Sequence, residues 1–349
     1  MRREVSTSPT DTFRSRHAER AGRDNAALMD VLLVALGGTA GLRAADDAFA
    51  DSMRRAAASV AVVRVTHARE PRTFALTDLA WAVPARRATA AALRNARPRA
   101  IVYSSSTAAL LWPEPGAIRF DAPAAGNRPG RHGIWQRAVE RRRFTAASLL
   151  LPWSEGGLAE APVPHARALV APVPVEPSGP GGGERDIAAI TYGANPEKKG
   201  LDRVLAAWDV ARRPGQTLVV AGAVGRDSDG VRHAGMLSSA AYRGLLRRAR
   251  VFVTAPRRED YGIAQLEALA DGCALVTTAA PGPYAALPVA RALDPRLVGD
   301  DLPAALRLAL DDPAPAYAER AREALAPWSP GAVDELVRER VLPALLGSG

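Results

Sequence analysis

Twice along this chain, short continuous apolar runs alternate with longer helical stretches, and a proline- and glycine-rich break separates the two series. The first series opens with DVLLVALG (30–37) and a helix-like segment reaching about Ala58. VAVVRV (60–65), RAIVYSSS (99–106), AIRFDAP (117–123) and SLLLPWS (148–154) follow. The second alternates IAAITYG (187–193), QTLVVAG (216–222), VFVTAP (251–256) and ALVTT (274–278) with GLDRVLAAWDVARR (200–213), SAAYRGLLRRA (239–249) and IAQLEALADG (263–272). Unbroken apolar runs suit strands buried on both faces. Strands that take turns with helices build parallel sheets with crossover helices. The break, APVPVEPSGPGGGERD (171–186), disfavours helix and strand interiors alike. The expected class is α/β, with two α/β sandwiches facing a cleft in which a ligand sits.

A length of 349 residues suits two domains of roughly 150 each. The expected division is a tail over 1–27, a first domain over 28–175, a linker over 176–186 and a second domain over 187–326. After PWSPG (327–331) comes a C-terminal helix, within 327–349, placed to pack back on the first domain. The opening residues are polar and lack the apolar segment of a secretory signal. No apolar run of about 18 residues could span a bilayer. The single cysteine, Cys273, cannot form an internal disulfide and reads as a small core residue, so a cytoplasmic location is expected. The five histidines have no metal-ligand spacing; His233, in VRHAG (231–235), is expected to face solvent.

The net charge of +9 falls entirely within residues 1–180, while 181–349 are neutral. Within the basic half, RPGRHGIWQRAVERRRF (128–144) would bring Arg137 and Arg141 together on a helix. A solvated helix face, a peripheral contact with an anionic membrane at the inner face of the cell membrane, and an anionic acceptor all fit this stretch. Nucleic acid is not expected.

The most informative stretch is EDYGIAQLEALADGCALV (259–276). Strand VFVTAP ends at Pro256, a loop follows, and a helix begins near Gly262 and Ile263. Its unpaired N–H groups and its dipole favour an anion there, and glycine lets a phosphate approach the backbone. Glu259 precedes this point and Glu267 follows it. Two carboxylates flanking a phosphate site suit a nucleotide sugar, with ribose hydroxyls on one side of the diphosphate and sugar hydroxyls on the other. Taken alone, the residues equally allow a solvated loop glutamate and an exposed helical one. In ITYGANPEKKGLDRVLAAW (190–208), Lys198 and Lys199 are the only lysines among 46 basic residues; they suit either compact charges for phosphate or a solvated charge at a helix start. Gly37, Gly38 and Gly41, in LGGTAG, follow the first strand and are placed to approach from the other domain. Their spacing is not G-x-G-x-x-G, and RVTHARE offers no strand-end acid for a ribose, which argues against dinucleotide binding.

EDYGIAQLEALADGCALVTT resembles the donor-site signature of retaining GT-B glycosyltransferases, in particular glycosyltransferase family four. That signature is a glutamate, seven residues and a second glutamate, with an aromatic–glycine pair after the first, here Tyr261–Gly262. The segment at 190–208 is similar to the family's G-R-L-x-x-x-K-G element. Lys199 falls on its lysine, but Ala194 stands where the arginine is usual; Arg257, Arg258 or Lys198 are candidates for the missing charge. The resemblance implies a GT-B fold of two Rossmann-like domains facing an interdomain cleft. It also implies transfer of a sugar, with retention, from a nucleoside diphosphate sugar to an acceptor hydroxyl, without metal or cofactor. It places Gly37, Gly38, Lys198, Lys199, Glu259, Tyr261, Gly262, Ile263 and Glu267 on the donor, with Asp121, Lys199 and Glu259 as the catalytic set. Asp121 ends a strand where relatives carry a cleft-facing histidine or acid; a simple turn residue before Ala-Pro is the other account. Two further readings of the same fold are a nucleotide-sugar 2-epimerase and a non-catalytic nucleotide-sugar binder.

Overall fold

The computed structural model describes residues 27–66, 74–164, 167–180 and 183–347. All but the last residue of the N-terminal tail segment lies outside them.

Two five-stranded, wholly parallel sheets form the framework. The first holds β1 (Ala27–Ala35), β2 (Val60–Arg64), β3 (Ala96–Tyr103), β4 (Ala117–Phe120) and β5 (Leu150–Pro152), in the order β2-β1-β3-β4-β5. The second holds β6 (Ile187–Tyr192), β7 (Leu218–Ala221), β8 (Val231–Gly235), β9 (Ala249–Thr254) and β10 (Ala274–Thr277), in the order β10-β9-β6-β7-β8. Val31, Leu32, Leu33 and Val34 of β1, and Ala189 and Ile190 of β6, are buried on both faces, as the unbroken apolar runs predict. In the second sheet the strand order reverses between β6 and β9. The loops leaving that switch point line a crevice at the carboxyl ends of the strands, where open α/β sheets bind ligands. Those two loops carry the lysine pair and Glu259.

Two stretches, VRHAG and APVPV, differ from the sequence reading. VRHAG is strand β8, paired with β7, rather than a connection, and the His233 side chain is only 13% exposed beside Asp227 instead of facing solvent. The strand was hidden because it sits at the sheet edge and carries polar residues. The APVPV stretch before the linker is extended, and Val173 and Val175 bury themselves in the core of the second domain. Proline is compatible with extended backbone, and alternation then puts both valines on one face. The C-terminal segment crosses back to the first domain, where Val333, Val337, Val341 and Leu342 share a core with Val31, Leu33, Phe49 and Met53. Asp334 fastens this return to Ser52 Oγ at 2.5 Å and Arg55 Nε at 2.6 Å.

Candidate functional site

The loop after β9 turns into the helix Ile263–Ala270 at Gly262, whose φ of 90° lies in the left-handed region. A Cβ at Gly262 would also stand 3.0 Å from the Tyr284 ring, so glycine is required twice over. No side chain caps this helix, which leaves its first-turn N–H groups to an outside acceptor. The glycine loop of the first domain faces this terminus: a Cβ on Gly41 would lie 3.8 Å from Ile263 Cδ1. Gly37, with φ 62°, turns that loop and accepts from Arg43 at 2.7 Å, and Gly38 lies against Trp81. The approach to the helix therefore comes through Gly41 rather than through Gly37 or Gly38.

The lysine loop is held against the same place. Gly200, at φ 63°, passes so close to β9 that a Cβ there would sit 1.9 Å from the Ala255 carbonyl oxygen. The Arg257 N–H donates to the Lys198 carbonyl at 2.9 Å, tying the two loops together. Lys199 Nζ then lies 2.7 Å from Glu259 Oε2, and Gln265 Nε2 donates to the same oxygen at 2.8 Å. Both bonds use Oε2, which leaves Oε1 for a ligand hydroxyl. The Glu259 side chain is 5% exposed, and a carboxylate this deeply placed needs such partners.

Glu267 faces a different corner. Its carboxylate stands 3.6 Å from Arg243 Nη1 and is raised above the ordinary range, mainly by burial, with Arg243 opposing. The Tyr192 and Tyr242 rings pack beside it with centroids 5.3 Å apart, and both phenols are raised by burial first and by Glu267 second. Gly222, at φ 77°, leaves room for Tyr192, since a Cβ would come within 2.7 Å of that ring. The two glutamates therefore stand in different surroundings, one beside a lysine and the other beside an arginine and a tyrosine pair.

Asp121 caps the carboxyl end of β4 and accepts from the Ala122 N–H at 2.8 Å. Burial, and then the charge of Asp260 across the cleft, push its carboxyl up to about 6, while Lys198 opposes the shift. Asp260 itself pairs with Lys198 and, at 3.0 Å, with Arg258 Nε. Asp260 and Gln265 were missed in the sequence although they lie inside the donor motif; an acid directly after Glu259 was the available signal.

Two placements bear on the sequence reading. The Tyr261 hydroxyl is buried between the domains and already engaged, accepting from Val173 N–H at 3.1 Å and Trp328 Nε1 at 3.0 Å. The three candidates for the missing arginine charge are all held by carboxylates. Arg257 pairs with Asp202 at 2.8 Å, Arg258 with Glu160 at 2.6 Å, and Lys198 with Asp260. The sequence reading also passed over Arg119, a fully buried arginine on β4, 3.5 Å from Asp46. Its guanidinium lies between the Phe49 and Trp153 rings, 4.7 and 4.6 Å from their centroids. Burial lowers Arg119 to about 10 and raises Asp46 to about 6.

Among the described residues, no group of three or more His, Cys, Asp or Glu is placed to hold a metal ion. No described helix is long and apolar enough to cross a membrane.

Residues 186–311 match the family model described as glycosyl transferases group 1. A search of curated proteins finds no match. Among solved structures, WaaG, a glycosyltransferase involved in lipopolysaccharide biosynthesis, superposes with a TM-score of 0.66 at 14% identity, covering 91% of this chain and all of that one. Sucrose-phosphate synthase from Thermosynechococcus elongatus gives 0.61 at 14% identity, over 88% of this chain and 96% of that one. A trehalose-6-phosphate protein from E. coli, bound with UDP-2-fluoro glucose, gives 0.61 at 11% identity, over 88% and 97%. At these identities the likeness establishes the two-domain architecture.

Proposed function

We propose, from the premise that this is a glycosyltransferase of GT-B fold whose residues 186–311 form a group 1 domain, that it moves a sugar from a nucleoside diphosphate sugar to an acceptor hydroxyl with retention of configuration. The observation that carries the reading is the Lys199–Glu259–Gln265 cluster beside an uncapped helix start at Gly262. The N–H groups of that first turn would take the diphosphate. Glu259 Oε1 would accept from a sugar hydroxyl, and Glu267, beside Tyr192, would accept from the ribose. The nucleotide sugar held by the E. coli structure supports a donor of this class.

In the step itself, the bond from the sugar carbon to the β-phosphate oxygen breaks and its electron pair stays on that oxygen. The acceptor oxygen bonds to the same carbon from the same face, and its proton passes to the departing phosphate. Lys199 and the helix amides would meet charge growing on the diphosphate, an electrostatic contribution present before the bond breaks. Asp121, on the first-domain side of the cleft, would orient the acceptor hydroxyl. The acceptor would approach along that domain, whose helix Ile134–Ala146 exposes Ile134, Arg141 and Arg142 and suits an anionic acceptor or an anionic membrane at the cytoplasmic face.

Thermal-shift titration with UDP, GDP, ADP and TDP tests the donor site, since a ligand that binds only the folded chain raises its melting temperature. Glu267→Ala is expected to weaken the nucleotide that binds by about tenfold, roughly 1.4 kcal/mol; an unchanged titration would remove Glu267 from the site. Release of free nucleoside diphosphate from a nucleotide sugar supports transfer, interconversion of the sugar supports epimerisation, and neither supports a binder.

A role for Asp121 as an acceptor-orienting carboxylate requires its charged form. With its carboxyl raised to about 6, kcat/KM is expected to fall as pH drops through about 6 and to be level above it. Asp121→Asn should abolish that acidic limb; an Asp121→Asn profile matching the wild type would exclude the role.

A further inference from the structure

Two residues of the donor loop spend their polar groups on the first domain and on the chain segments that connect it. The Tyr261 hydroxyl accepts from Val173 on one crossover between the domains and from Trp328 on the other. Its ring meets Trp153 of the first domain edge-on, 5.3 Å between centroids at 85°. Arg258 reaches Glu160 Oε2 at 2.6 Å and Asn127 Oδ1 at 3.2 Å, both in the first domain, while its Nε holds Asp260 of its own loop. Glycines of the first domain make this approach feasible. A Cβ on Gly126 would stand 2.2 Å from Arg258 Nη2, and one on Gly156 would stand 2.6 Å from the Pro283 carbonyl oxygen. Between Arg258 and Tyr261 lies Glu259, and directly after Tyr261 comes Gly262. One short segment therefore carries both the fasteners to the first domain and the groups that face the donor.

We propose that Arg258 and Tyr261 are positioning residues that lock the donor loop to the first domain and to the two crossovers that join the domains, so that the angle between the domains sets the placement of Glu259 and of the amides at Gly262. This rests on the donor-site reading given above. The Tyr261 hydroxyl is the acceptor for a buried donor on one crossover and a half-buried donor on the other, and its loss leaves both without this partner. Arg258 is the complementary fastener on the open side of the cleft, where its planar fork meets acceptors from both domains at once. Because Asp260 also holds Lys198, movement of Arg258 is passed to the lysine loop. A donor that binds the closed arrangement would close the domains, and by the same coupling the fasteners would raise donor affinity.

Two conservative variants test this, each with an interdomain distance and a nucleotide affinity as readouts. Tyr261→Phe keeps the ring and removes only the hydroxyl. Glu160→Gln weakens the first-domain anchor of Arg258 without touching the donor loop. Spin labels on cysteines introduced at the exposed positions Thr145 and Val210 report the separation of the domains. Both variants are expected to broaden that distribution toward longer distances. With whichever of UDP, GDP, ADP or TDP binds the wild type, affinity should drop about fivefold to twentyfold in Tyr261→Phe and about threefold to tenfold in Glu160→Gln. Adding Glu160→Gln to Arg258→Gln should cost no more than Arg258→Gln alone, because the two act through one contact. Wild-type distance distributions in both single variants overturn the proposal. Broadened distributions with unchanged nucleotide affinity also overturn it, since the domain angle would then not govern the site. If the wild type binds none of the four nucleotides, the donor reading fails, and the distance measurement still decides whether these residues fasten the domains.

Discussion

Lys199→Ala is expected to lower kcat by about 10²–10³-fold while moving the donor KM less than about fivefold, the pattern of a group whose interaction strengthens as the leaving group gains charge. Three observations set this size. Lys199 Nζ is only partly exposed and lies 2.7 Å from Glu259 Oε2, so it is already oriented at the edge of the helix-start site. Lys198, its only lysine neighbour, is committed to Asp260. Ala194, in the same loop, carries no charge that could substitute for Lys199. Lys199→Arg should restore little, because a planar fork on a longer stem cannot occupy the place of a compact ammonium between Glu259 and the phosphate. Removal of the lysine also takes one of its two partners from the buried Glu259 carboxylate, so a loss confined to the donor KM would mean that Glu259 had lost its place. Near-wild-type kcat for Lys199→Ala at neutral pH would remove the lysine from the reaction.

The parts of the site that were legible in the sequence are those set by local backbone geometry. Gly262, Glu259 and Glu267 fall within one strand–turn–helix unit, where the left-handed turn at Gly262 and the helical period fix where each side chain points. Lys199 belongs to a second such unit, and the reversal of strand order brings the two units together. The partners of the Tyr261 hydroxyl were not legible, because they lie 88 and 67 positions away, which no local spacing reveals. Arg258 is the same case, with partners 98 and 131 positions away. For Arg119 a signal was present. A charged residue inside the apolar run AIRF must either face solvent or be buried with a partner, and a strand covered on both faces leaves only the second course. The valines of APVPV were discounted because proline was taken to mark a linker, although alternation with proline is compatible with an extended segment lying on a core.

The buried arginine also gives the largest expected effect on stability. Arg119→Ala should destabilise the first domain by about 3–5 kcal/mol, read as a lower denaturant midpoint in urea or guanidinium titrations. The loss has three sources. A large side chain leaves a void between Phe49 and Trp153, two rings that a core cannot readily collapse together. The stacking of the guanidinium on both rings is forfeited. Asp46, 3% exposed, is left without its counter-ion. The carboxyl can shed that last part by taking up a proton, since burial already raises it to about 6. Its folded pKa lies above the unfolded value of 3.8, so its contribution is fully present below about pH 4 and is lost as pH rises through about 6. With Arg119 removed the Asp46 pKa climbs further, so the deficit of Arg119→Ala should be smaller at pH 5 than at pH 8. A double substitution, Arg119→Met with Asp46→Leu, fills the space with apolar atoms and removes both charges. It should recover most of the stability, because a buried ion pair with unbonded guanidinium nitrogens adds little over a well-packed apolar pair. Because Trp153 packs on Arg119 from one side and meets Tyr261 edge-on, the double variant also probes the interdomain wall: wild-type stability with a broadened interdomain distance would mean that the arginine sets the position of Trp153, whereas an Arg119→Ala midpoint equal to the wild type would show that the pair does not hold this core.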